Sequence, residues 1–158
     1  MSVRADIQAG LAARLETISP GNGYTTETVT VYYNDIPFGL DLEEDKLPAI
    51  LIVAGDDIPD MKQGCYYGHW LFELQLWHRR VDDSVMDQFV RDVSKAIYAN
   101  SPTAKRNDGF RGPTPGGIHE SVYSVRTLKL ETDLNMIEAN RLYMSHYEIN
   151  FTTFLYDL

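Results

Sequence analysis

A ten-residue stretch, HWLFELQLWH at residues 69–78, alternates between apolar and mixed positions with a period of two. Successive side chains of a β-strand project to opposite faces of the sheet. The alternation therefore predicts a strand over residues 66–79 with one face in a hydrophobic core. That core face consists of Trp70, Phe72, Leu74 and Leu76.

The other face of this strand is mixed and carries His69, Leu71, Glu73, Gln75 and Trp77. Because Trp77 is large and apolar, we expect it to contact another surface. His69 and Glu73 stand about 13 Å apart at ~3.3 Å per residue, and His78 points to the opposite side from His69. Residues of this strand alone therefore cannot form a metal site or a proton-transfer pair.

Two segments have the apolar spacing of amphipathic helices. The first precedes a stop signal, SPG at residues 19–21, and its apolar positions are Val3, Ile7, Leu11 and Leu15. The second lies within residues 81–100 and begins with acidic residues suited to capping. Its stripe consists of Val85, Phe89, Val93, Ala96 and Ile97. We expect this stripe to pack on the core face of the preceding strand.

The remaining segments predict further strands. Residues 26–34 alternate and are β-branched, which indicates a strand or an extended arm. AILIVAG at residues 49–55 is continuously apolar, as in a strand covered on both faces, and DDIPDMKQG at 56–64 then turns the chain. Residues 118–134 and 140–158 alternate over long stretches and form a hairpin.

This order of elements predicts an α+β fold within a single domain spanning residues 1–158. We expect a mostly antiparallel sheet of four to five strands with two helices packed on one face, plus an extended β arm or hairpin.

Composition excludes some classes of function. The formal net charge of −9 disfavours binding to nucleic-acid phosphate or to anionic lipid. A single cysteine, Cys65, excludes an intrachain disulfide and suits a reducing compartment. Since no apolar stretch reaches ~18 residues, we expect a soluble chain made in the cytoplasm that contacts no membrane.

No motif in the sequence specifies chemistry. His69, His78, His119 and His146 lack the spacing of metal ligands, although a zinc site assembled across strands stays open. Glu73 and Glu148 fall on outward faces and are candidate neighbours, but the sequence shows no cleft around them. The sequence predicts no catalytic residue, no metal site and no cofactor, and therefore no enzyme.

Two loops concentrate charge. The first, within residues 35–46, carries Asp41, Glu43, Glu44 and Asp45, a run that is usually a solvated face. The second, residues 100–117, contains three prolines and four glycines around Lys105, Arg106, Phe110 and Arg111. A loop of this length is typical of a functional or disordered segment.

The layout as a whole resembles the tail-terminator, or tail-completion, proteins of long-tailed bacteriophages. The resemblance rests on the N-terminal helix, TVTVYYN, PAILIVAGDD, GHWLFELQLWHRR leading into SVMDQFVRDVSKAIY, and the final NRLYMSHYEINFTTFLYDL. It implies a hexameric ring in the virion tail, assembled in the host cytoplasm. Such a ring caps the tail tube, stops its polymerisation and docks to the head connector without catalysis.

From the resemblance we predict which residues contact which partners. A closed ring needs one contact patch on each side of every subunit, and our candidates are Val29, Val31, Tyr33, Leu71 and Trp77. Asp41, Glu43, Glu44 and Asp45 would line a lumen that repels DNA, which passes through without specific binding. Lys105, Arg106, Phe110 and Arg111 would contact the tail tube protein or the connector protein.

Two other classes of protein also fit the sequence. A small α/β enzyme or ligand-binding domain would have a deep pocket with converging polar side chains and shifted pKa values. Another neck or tail-tube subunit would share the fold and differ in its position in the particle.

Overall fold

The computed structural model describes residues 3–34, 43–62, 65–79, 82–98, 122–137 and 142–154. Two helices are present in these ranges, α1 (Val3–Leu15) and α2 (Asp83–Tyr98). The strands are β1 (Thr30–Tyr32), β2 (Ala49–Lys62), β3 (Cys65–Arg79), β4 (Val122–Ile137) and β5 (Leu142–Phe154). Short 3-10 turns lie at Pro20–Asn22 and Glu44–Lys46.

The five strands form one sheet in the order β1-β2-β3-β5-β4. β1 runs parallel to β2, and every other neighbouring pair is antiparallel. The final two strands pair as the alternation predicts, with β5 inserted between β3 and β4. The predicted α+β fold is therefore confirmed, with β1 and β4 at the two edges of the sheet.

Both helices cover the same face of the sheet, which we call the inner face. Their buried side chains and those of the strands form one core cluster. On the helices it includes Ile7, Leu11, Leu15, Phe89 and Val93, and on the strands Ile50, Ile52, Phe72, Leu74, Leu76, Tyr147, Ile149 and Phe151. The predicted packing of α2 against the even-numbered positions of β3 is thus confirmed.

A second, smaller cluster lies on the opposite face, which we call the outer face. It contains Leu47, Ala49, Leu51, Trp77, Leu142 and Met144. Trp77 is only 5% exposed, because residues of its own chain provide the contact that the sequence indicates. The two clusters together bury Ala49 to Ile52 on both sides, as the apolar run predicts.

The structure changes three boundaries, one of them in β4, which continues to Ile137 beyond the predicted end at residue 134. Only Thr30–Tyr32 of the segment 26–34 forms a strand, at the parallel edge. The expected turn over residues 56–64 is wrong for its first part, because β2 continues to Lys62. In the described residues β1 pairs with β2 only as far as Leu51, and beyond it β2 pairs with β3 alone, an arrangement that tolerates Pro59, which lacks a backbone donor.

Among the helices that the structure describes, none has the length and apolar character needed to cross a membrane.

Candidate interaction surface

The middle of the outer face is polar and is not covered by either helix. His146 of β5 lies 2.5 Å from Glu73 of β3, measured from the imidazole Nδ1 to the carboxylate Oε1. The side chains are 35% and 34% exposed, so the pair is partly screened by water. The register also sets Glu73 opposite Glu148, the neighbour relation that the sequence indicates.

Charges on β4 extend this polar surface toward the edge of the sheet. Lys129 pairs with Glu148 in the register, and Glu131 pairs with His146. The Lys129 ammonium also lies 3.2 Å from the Glu131 carboxylate, and the hydrogen bond with Glu131 raises the pKa of Lys129. At this corner of the sheet the Lys129 ammonium is therefore surrounded by carboxylates, chiefly those of Glu131 and Glu148.

The other histidine of the outer face belongs to a separate polar group. His69 Nδ1 lies 3.2 Å from Thr152 Oγ1 and 3.3 Å from the Asn150 amide nitrogen. His69 and the pair of Glu73 with His146 do not converge, and the described ranges contain no cluster of three or more His, Cys, Asp or Glu suited to a metal ion. His119 lies outside the described residues.

The five residues predicted as subunit contacts differ in how much of their surface is exposed. Val29 and Trp77 are 6% and 5% exposed and pack within the core clusters of the chain itself, so the area that they offer to a second chain is small. Val31, Tyr33 and Leu71 are half-buried. Gly55 lies beside Leu71, because a Cβ at Gly55 would stand 3.0 Å from the Leu71 carbonyl oxygen.

The two charged loops are only partly within the described residues. Glu43, Glu44 and Asp45 are exposed, and Glu44 is attached to the end of β3 by a 2.7 Å bond from the Arg79 guanidinium to its carbonyl oxygen. Asp41 lies outside the described residues, as do Lys105, Arg106, Phe110 and Arg111.

The edge formed by β4 carries exposed apolar side chains that the sequence analysis did not single out. Leu128 and Leu130 are 48% and 46% exposed, and Tyr98 at the end of α2 is 38% exposed. Tyr98 is held there by a chain of hydroxyls, from its own oxygen to Thr127 (2.6 Å) and from Thr127 to buried Tyr147 (3.0 Å). Alternation in the sequence predicts which face of a strand these leucines lie on, but it does not predict that the strand is at the edge of the sheet.

A cleft of about 490 Å³ opens on another part of the molecule. It is lined by Thr25, Thr26, Glu27, His78, Arg79, Ser84, Val85 and Gln88. Burial is the main cause of a lowered pKa at His78, whose Nδ1 donates to the Arg79 carbonyl at 3.0 Å. The lining also includes the Glu27 carboxylate and the Arg79 guanidinium, and both act electrostatically on the His78 imidazole.

A buried carboxylate forms the back of this region. Asp92 accepts bonds from the backbone nitrogens of Thr25 (3.2 Å) and Thr26 (2.7 Å), and from the Thr26 hydroxyl (2.6 Å). The Gln88 amide donates to its second oxygen at 3.1 Å. Asp92 is thus a structural clamp between α2 and the segment before β1, which helical spacing alone does not reveal.

Comparison with known proteins finds similarity in structure and not in sequence. No family model matches the chain, and no curated protein matches it. Among solved structures, the chain is similar to one described as "Virion of native gene transfer agent (GTA) particle". The identity is 11% and the TM-score 0.49, and the similarity covers 98% of this chain and 96% of that chain.

Proposed function

We propose that the protein is a structural component of a phage-like virion, and specifically a tail terminator. In this role six copies form a ring that caps the tail tube, ends its polymerisation and joins the tail to the head connector. The protein acts by contact rather than by catalysis, with itself, the tube protein and the connector protein as partners.

The observation that carries this proposal is the order and arrangement of the elements. A short helix, a short strand, two long strands, a helix and a final long hairpin follow one another along the chain, in the order on which the family resemblance rests. Both helices cover one face, and within the described ranges no helix covers the outer face. A subunit of an assembly needs such a surface, and here it is part of the regular scaffold.

The two faces of the proposed ring are different, because one of them meets the tube and the other meets the connector. Contacts between its subunits are therefore head-to-tail and join two different patches. Val31 and Tyr33 form one patch near the β1 edge, and Leu71 lies on the outer face in the other. All three are half-buried within the chain, so they retain area for a neighbour.

The test is assembly of the purified chain on tail tubes. We expect rings at the tube ends by electron microscopy and a mass six times that of the subunit in the capped complex. Leu71→Glu is expected to abolish capping in a chain that still folds cooperatively, with Tm lowered by only about 2–4 °C. Ala13→Glu, on the exposed side of α1, is the matched control and should cap normally. Chains that bind tubes only along their sides, or never bind them, would contradict the proposal.

The acidic loop is proposed to face the lumen. Glu43 and Asp45 are exposed, whereas Glu44 also contacts Arg79, so the substitutions of choice are Glu43→Lys and Asp45→Lys together with Asp41→Lys. Repulsion of DNA phosphate by this loop would keep the passing DNA mobile. We expect the triple variant to form normal tails that eject DNA slowly. Normal ejection would refute the role of the loop.

The basic loop is proposed to contact the tube or the connector. Replacing Lys105, Arg106 and Arg111 by alanine is expected to weaken tail joining at physiological salt, because charge attraction guides such contacts. Joining of heads to tails, counted on micrographs, is the measurement. Equal joining by the variant and the parent chain would leave the loop without this role.

A ligand-binding domain is the second candidate, and the cleft at His78 is the observation that favours it. Pockets of this size accept small molecules when a few polar groups fix their orientation. Thermal unfolding against a panel of small metabolites tests it. A shift in the parent chain that disappears in Gln88→Phe, which fills the cleft, would favour this function over the ring.

A further inference from the structure

The β4 edge presents a strand that is ready to pair. One side of β4 bonds to β5, and no strand in the described ranges pairs with its other side. Backbone N–H and C=O groups on an open edge are a template for another strand. Three of the four exposed large hydrophobic side chains in the described ranges, Tyr98, Leu128 and Leu130, lie at this edge.

Charge makes this edge complementary to itself. Along β4 the central triplet is Lys129-Leu130-Glu131, and the two charged side chains share the outer face because both pair with outer-face residues of β5. If two copies of β4 run antiparallel about a two-fold axis at Leu130, Lys129 of each copy stands opposite Glu131 of the other. The two copies of Leu130 then meet on the inner face.

The same charges reject the adjacent registers. An axis at Lys129 would set two ammonium groups opposite each other, and an axis at Glu131 would set two carboxylates opposite each other. Directly opposed like charges destabilise a strand pair, whereas opposite charges stabilise it. The pattern therefore selects a single register of pairing.

We propose that in solution the β4 edge binds the β4 edge of a second copy of this chain, in the register centred on Leu130. The result is a continuous ten-stranded sheet with all four helices on one side. Register shifts on both sides of Lys129–Asp133 leave only a short regular window in β4. Since bulges limit pairing, the dimer dissociates readily.

This dimer is separate from the proposed ring. A two-fold contact joins identical patches, and a ring containing it would have two equivalent faces. The terminator ring has two different faces, so the dimer is the form of the chain away from the tail. In that form it covers an edge that would otherwise bind unrelated strands. The inference holds whether or not the chain caps tails.

Charge exchange tests the contact. We expect the mass of the full chain, measured by light scattering across concentrations, to rise from monomer to dimer. Lys129→Glu and Glu131→Lys should each weaken the dimer about tenfold or more, because each opposes like charges twice. The double variant restores every pair with reversed sign and should dimerise like the parent chain.

Mixing the two single variants gives the sharpest result. Lys129→Glu carries two negative side chains at positions 129 and 131, and Glu131→Lys carries two positive ones. We therefore expect the mixture to form a dimer of one chain of each variant, whereas each variant by itself dimerises weakly. Circular dichroism controls for folding, and Leu130→Lys, which charges the centre of the contact, should abolish all dimers.

The inference is overturned if the parent chain stays monomeric at every concentration. It is also overturned if the single variants dimerise unchanged, or if their mixture stays monomeric. A hexamer that ignores these charges would refute the β4 dimer and leave the ring proposal intact. Tube capping by a parent chain that never forms the dimer would have the same meaning.

Discussion

Removing the carboxylate of Asp92 should destabilise the whole fold, although the residue lies on a helix and would pass for a surface aspartate in the sequence. The side chain is only 4% exposed. Its oxygens accept two backbone N–H groups, those of Thr25 and Thr26, together with the Thr26 hydroxyl and the Gln88 amide. Asp92→Ala removes the acceptor of all four donors at once.

The loss in the free energy of unfolding depends on whether each donor finds another acceptor once the carboxylate is removed. The hydroxyl and the amide can rotate to other acceptors, and the N–H of exposed Thr25 can bond to water, whereas the N–H of buried Thr26 is fixed in place. A bond to a charged acceptor contributes about 1.5–3 kcal/mol, and a buried donor left without a partner costs about 1–3 kcal/mol. We therefore expect the free energy of unfolding to fall by about 3–5 kcal/mol. At ~2–4 °C per kcal/mol, Tm falls by about 6–20 °C.

Urea unfolding followed by circular dichroism measures this change. Asp87→Ala, an exposed aspartate on the same helix, is the control and should leave the urea midpoint unchanged. In a double-mutant cycle, Thr26→Val should lose most of its effect once Asp92 is absent, with a coupling of about 1 kcal/mol or more. A loss below about 1 kcal/mol for Asp92→Ala would refute the clamp.

Three further predictions concern other parts of the fold. Trp77→Ala should lower the free energy of unfolding by about 3–5 kcal/mol, because Trp77 is buried. Leu71→Ala, at a half-buried position on the same face, should lower it by about 1 kcal/mol or less. Equal losses in urea titrations would contradict this difference in burial. Because burial lowers the pKa of His78 from 6.5, the unfolded chain binds the proton more tightly. Stability is therefore complete above that pKa and declines as pH falls below about 6.5, and His78→Gln should flatten the urea midpoint against pH there. Arg14→Leu should cost about 1–2 kcal/mol by removing the 2.7 Å bond from the guanidinium to the Ala96 carbonyl, and a neutral result in thermal unfolding would argue against that bond.

Period and apolar content were sufficient to predict most of the fold. Both helices, β3 and the final hairpin lie where periodicity places them, because each buries one face against a single core. The continuation of β2 to Lys62 was not predictable in the same way. Its residues Asp56 to Lys62 read as a turn, and pairing with β3 overrides that local preference.

Partner residues were harder to predict, because alternation assigns a face and says nothing about what covers it. His146 and Glu73 are 73 positions apart, and only the register of β3 on β5 brings them to 2.5 Å. Leu128 and Leu130 belong to an ordinary alternating strand, and their exposure follows from the position of β4 at the end of the strand order. That order is a tertiary property.

Leu71 and Trp77 show what decides whether an apolar residue on the outer face is available to a partner. Both lie on the same face of β3, about 20 Å apart at ~3.3 Å per residue. At the Trp77 end, Leu47, Leu51 and Met144 close over the face, whereas the neighbour of Leu71 is Gly55, which adds no side chain. Among the described residues, position along the strand therefore separates a fully packed apolar side chain from a half-buried one, even where face and chemistry agree. If the chain assembles as we propose, we therefore expect a substitution at Trp77 to disturb assembly only by disturbing folding, and a substitution at Leu71 to disturb assembly in a chain that still folds.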